Sequence, residues 1–75
     1  MMIANVYFKR GTKLNWQKLD EAMAALRCDV GPVCIDSSGV GLGVNLSRFD
    51  GRDVVDVAKA VAKALGLTAL SVERR

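Results

Sequence analysis

Histidine is missing altogether from the 75 residues. That removes the usual general base of enzyme catalysis and the commonest nitrogen ligand for a metal. Two cysteines, Cys28 and Cys34, remain as soft ligands, so a zinc site would need carboxylates as well, and neither a metal nor a cofactor is expected. Neither thiol has an activating partner in the sequence, so the chain is expected not to be an enzyme. No run of about 18 apolar residues exists, which leaves no segment for a transmembrane helix and no role at a membrane. The first residues, Met1 to Val6, read as a strand without the basic start and long apolar run of a secretory signal. A cytoplasmic location is expected, with both cysteines as free thiols. Acidic excess is absent too: the formal charge is +3, which argues against imitation of DNA and permits an acidic partner.

What is present is a globular balance, 51% hydrophobic and 25% charged, in a chain sized for one small domain spanning residues 1–75. A core this small supplies only about 3–5 kcal/mol, so a partner or self-association into a homodimer would help it. A strand–helix–strand pattern occurs twice. The first copy is Ile3–Lys9, a helix near Trp16–Arg27, and Val33–Asp36; the second is Val40–Ser47, a helix near Gly51–Leu65, and Thr68–Glu73. Strand one alternates Ala4, Val6 and Phe8 against Asn5, Tyr7 and Lys9. Asn15 suits the cap of helix one, with Leu14 and Leu19 as a hydrophobic staple, and Asp29, Gly31 and Pro32 end that helix. Asp50 suits the cap of helix two, with Phe49 and Val54 as staple and Asp53 at the capping-box position; Gly66 ends it. Val54, Val57, Ala58, Val61, Ala64 and Leu65 form its buried stripe, and Thr68, Leu70 and Val72 bring the last strand into the core.

This β-α-β-β-α-β order resembles the ferredoxin-like plait, an α+β fold built from two interlocked βαβ units. The resemblance implies an antiparallel sheet in the order 4-1-3-2 with both helices on one face. Strands two and four are then edges, one opened by Pro32 and the other closed by charges, as edge protection requires.

The uncovered sheet face is the first candidate surface, carrying Asn5, Tyr7 and Lys9 beside Gly43, Asn45 and Ser47, with Cys34, Asp36, Ala69 and Ser71 at its flanks. Gly43 is expected opposite Tyr7, whose ring would cover the bare backbone. RNA-recognition domains of similar shape stack bases on two or three aromatics from the central strands, and here strand three offers none. The second candidate is a basic end where Lys9, Arg10, Lys13, Lys18 and Lys63 gather beside the start of helix one, suited to phosphate or an acidic protein patch. Its plainer reading is a solvated surface, with Lys63 answering the helix dipole. Trp16 reads as a lid over the edge of the core; exposed, it would be an anchor for a partner.

Ser38–Gly43 is glycine-rich but leads into a strand and is followed by no Walker lysine, so it is not a nucleotide loop. The loop after strand one, Arg10-Gly11-Thr12-Lys13-Leu14, lacks the cysteines of a metallochaperone. In size and expected architecture the chain is similar to small enzyme-free products of phages and mobile elements, anti-CRISPR proteins among them. That similarity implies an inhibitor that blocks a protein surface or a nucleic-acid path. The leading expectation is a non-enzymatic protein-binding module. The alternatives are a nucleic-acid-binding domain that contacts phosphates through the basic end, and a small dimerising regulatory domain.

Overall fold

Alternation of small and branched side chains decides which strands carry the core. In the computed structural model, which describes residues 2–46 and 51–74, Met2–Phe8 (β1) buries Ala4, Val6 and Phe8, and Gly39–Leu46 (β3) buries Val40, Leu42, Val44 and Leu46. Two helices lie against these residues. Trp16–Leu26 (α1) contributes Leu19 and Met23, and Val54–Ala64 (α2) contributes Val54, Val57, Ala58, Val61 and Ala62, all within one hydrophobic cluster. Asp29–Asp36 (β2) and Ser71–Arg74 (β4) flank the central pair. The result is an α+β arrangement with a four-stranded sheet in the order β2-β3-β1-β4, antiparallel at every junction. It is the expected order, read from the other edge. Among the described residues no helix is long and apolar enough to cross a membrane.

The helix ends differ from expectation in instructive ways. Asn15 caps α1 as its sequence suggests, its side-chain Oδ1 accepting the Lys18 amide at 3.1 Å. The helix stops at Leu26, before Asp29, Gly31 or Pro32 can act. Arg27 adopts the left-handed conformation (φ 53°, ψ 51°) and donates its amide to the Ala24 carbonyl, while the Cys28 amide reaches back to Met23 at 3.0 Å. This is the Schellman pairing, here made without glycine, and the accompanying apolar contact is Cys28 against Met23, sulfur to sulfur at 3.2 Å. The early stop frees Asp29 to begin β2, four residues ahead of the expected Val33. Gly66, with φ 71°, closes α2 by the same pairing, as expected.

α2 begins three residues later than an Asp50 cap implies. Asp53 is the cap: its backbone is extended (φ −85°, ψ 126°) and its side chain accepts the Val55 amide at 2.8 Å. Phe49 and Asp50 lie outside the described residues, as do Ser47 and Arg48. Ala64 is exposed and Ala62 takes its place in the buried stripe. The last strand is shorter than expected. Thr68 and Leu70 precede β4 and are exposed, Leu70 at 68%, so Val72 alone of the three packs against the core. The chain reaches the sheet at Leu70, whose amide bonds to the Tyr7 carbonyl at 2.7 Å, and the side chain is left outside.

Candidate functional site

Three segments meet at one end of the sheet: the loop after β1, the β2–β3 hairpin, and the loop after α2. Two concavities open there. One, of about 460 Å³, is lined by Gly11–Leu14, Trp16, Ile35 and Val40. The other, of about 330 Å³, is lined by Lys9, Thr12, Gly66, Leu67, Thr68 and Leu70. Thr12 stands between them, held by its hydroxyl and amide to the Lys9 carbonyl at 2.7 and 3.2 Å. Lys9, Arg10, Lys13, Lys18 and Lys63 are all exposed, and none takes part in an ion pair among the described residues. Lys63 lies in the last turn of α2, just ahead of the Gly66–Thr68 segment that reaches Lys9.

Trp16 is 54% exposed and not a lid over the core. It occupies the first helical position, three and seven residues before Leu19 and Met23, and it lines the groove with Ile35 and Val40 at the margin of the sheet. There β2 turns Val30, Val33 and Ile35 toward the helical layer, opposite Val44, Leu42 and Val40. Val33 is half-buried, Val30 is exposed, and Ile35 is 69% exposed. Ile35 was absent from the residues that sequence reasoning singled out, because an apolar residue in a strand of alternating pattern reads as core.

The opposite sheet face is more closed than its sequence suggests. Tyr7 pairs with Gly41 and not with Gly43, and its ring covers that glycine: a Cβ placed there would touch Tyr7 Cε1 at 3.5 Å. Gly43 pairs with Asn5 and is covered by β2 itself. Between Val30 and Val33 the β2 register shifts, and the Gly31–Pro32 bulge folds over the face. A Cβ on Gly43 would lie 3.0 Å from Pro32 Cδ and 3.1 Å from Gly31 Cα. Asn45 is caught under the same bulge, half-buried, with its Oδ1 buried and lacking a hydrogen-bond partner among the described residues. Asn5 is half-buried. Lys9 lies past the last residue of β1 and belongs with the loop end, and Ala69 packs against the core instead of flanking the face. Cys34, Asp36 and Ser71 do share the face, paired with Gly41, Gly39 and Tyr7. Cys34 and Asp36 border a shallow cavity of about 130 Å³ with Tyr7 and Leu70. Ser47 lies outside the described residues.

Among the described residues, two acids and one thiol have shifted proton affinities. Asp36 accepts the Ser38 hydroxyl at 2.5 Å and the Ser38 and Gly39 amides at 2.8 and 3.1 Å, and these bonds hold its carboxyl below the ordinary range. Its negative charge is therefore committed to the hairpin turn. Asp53 is lowered chiefly by Arg74, whose Nη2 donates to both carboxylate oxygens at 2.6 Å, and further by the Val55 amide. Burial pushes the Cys28 thiol up, with the Arg52 charge pulling the other way. Cys34 is free and exposed. Among the described residues, no group of three or more cysteines and carboxylates could hold a metal ion.

Comparison with protein-family models, curated protein sequences and solved structures gives no match to this chain. Its function must be read from its own surfaces.

Proposed function

We propose that this chain is a non-enzymatic binding module of the ferredoxin-like kind, and that it engages another protein through its basic, Trp16-bearing end. The observation that carries this reading is the groove in which Trp16 and Ile35, two large apolar side chains left in water, stand beside Lys13. Scattered apolar residues on a surface are ordinary, but an aromatic and an aliphatic lining one groove with a cationic rim have the composition of an interface centre. The bulge over Gly43 and Asn45 supports the choice of this end over the sheet face.

The test is affinity capture from the native host, followed by binding of the purified partner to Trp16→Ala and Lys13→Glu variants. Loss of roughly tenfold or more is expected for each. Full affinity in both variants would move the contact surface elsewhere. A second reading, phosphate binding by the same end, is favoured by the five exposed cations alone, which have no ion pair among the described residues. It requires an affinity for nucleic acid that falls steeply with salt, by about 0.9 logarithmic units per phosphate contact for each tenfold rise in salt on duplex DNA.

A further inference from the structure

The shape and charge of the groove narrow what can fill it. Its walls are Leu14, Trp16, Ile35 and Val40, and about 460 Å³ accommodates one bulky side chain with its neighbouring backbone. Lys13 lines the groove on the side of the β1–α1 loop, Arg10 is exposed directly before the Gly11–Leu14 wall, and Lys9 lines the neighbouring concavity. Asp36 follows Ile35, but its carboxylate faces the Ser38–Gly39 turn. We infer that the groove receives a short acidic protein segment carrying one large aliphatic or aromatic side chain, that side chain seated between Trp16 and Ile35 and its flanking carboxylates facing Lys13 and Arg10. This rests on the reading of the chain as a protein-binding module and adds the chemistry of the partner.

Two other occupants fit less well. A second copy joined through β2 would have to pair along a strand interrupted by a bulge and by Pro32, which has no amide to donate. A groove-to-groove copy would set one Lys13 rim against the other. A nucleic-acid strand would find a single exposed aromatic in the groove, since Tyr7 lies on the other face of the sheet, and stacking of successive bases needs more than one.

The chain has one tryptophan, so Trp16 fluorescence reports on the groove alone. A displayed library of random dodecapeptides panned against the intact protein should yield peptides rich in Asp and Glu around one Leu, Ile, Phe or Trp. Synthesised without Trp, these should shift Trp16 emission to the blue. Their affinity should fall about tenfold or more in Lys13→Glu and in Ile35→Asp. Both substitutions are at exposed positions, and circular dichroism of each variant verifies the fold. Enriched peptides that are basic or uncharged, yet shift Trp16, would overturn the acidic partner and leave the binding module standing. Peptides indifferent to Ile35→Asp would overturn the groove while leaving protein binding intact. A library that enriches nothing would overturn the inference. If an oligonucleotide of mixed sequence shifts Trp16 with a steep salt dependence, both the inference and the reading beneath it fall.

Discussion

At the end of the molecule where α1 stops and α2 starts, charged side chains are tied to backbone and to one another. Arg52 donates to the Leu26 carbonyl and, at 3.0 Å, to that of Arg27, so a cation from one segment closes a helix 25 residues away. Asp53 caps α2 and holds Arg74 of the edge strand β4. At the other end, Lys9, Arg10, Lys13 and Lys18 have no ion pair among the described residues, and Trp16 and Ile35 stand in water beside them. Both ends are built from short loops and helix termini, yet one uses its cations to finish secondary structure and the other keeps its cations outward. The contrast separates residues whose loss should harm folding from residues whose loss should harm binding.

Arg52→Ala should do the most damage. It strips two carbonyls at the C-terminus of α1 of their cationic donor, just where Arg27 holds a left-handed conformation that costs a non-glycine residue energy. A loss of about 1–3 kcal/mol is expected in urea unfolding, with the slope of the transition unchanged. If Arg52→Ala is as stable as the parent, the capping end is no more structural than the basic end, and the distinction between them collapses.

A smaller effect should follow pH. The folded-state pKa of Asp53 is lowered, by Arg74 first and by the Val55 amide second. Its contribution is therefore fully present above the ordinary aspartate value of about 3.9 and is lost as pH falls through the lower folded value. Asn retains the capping oxygen without the titrating charge, so Asp53→Asn should flatten the acid limb of a stability–pH profile while α2 stays capped. The slope that remains belongs in part to Asp36, which is lowered by its bonds to Ser38 and Gly39 and titrates in the same sense at the opposite end. An unchanged acid limb in Asp53→Asn would show that the Arg74 contact contributes nothing in solution, as exposed pairs often do.

Local rules made part of this legible in advance and left the rest dark for physical reasons. Alternation along β1 and β3, the Asn15 cap and the Gly66 stop depend on a few neighbouring residues, and those features stand as read. Arg27 carries no glycine signal for its left-handed turn; what supports it, Arg52, is distant in sequence. Asp50 and Asp53 are equally able to cap, and Asp53 has a further attachment to Arg74 that no local pattern encodes. The parity of Gly41 and Gly43 was readable, but a shift of two residues preserves parity, so the partner of Tyr7 was not. The candidate groove was half visible. Its lysines announce themselves, whereas the exposure of Trp16 and Ile35 depends on tertiary packing at the sheet margin, which hydrophobic periodicity does not report.

The smallest stability effect belongs to the basic end, and its smallness is what gives it weight. Arg10→Glu with Lys13→Glu removes two exposed cations that have no ion pair among the described residues and supplies opposite charge beside Lys9. Unfolding free energy should stay within about 0.5 kcal/mol of the parent, and any gain should fade as salt screens the rim. Urea titrations at low and high salt measure both. A loss above about 1 kcal/mol would mean that these residues support the fold after all, and a defect in partner binding by the same variant could no longer be assigned to contact. Unchanged stability together with lost binding is the combination that a structural role for this end cannot produce.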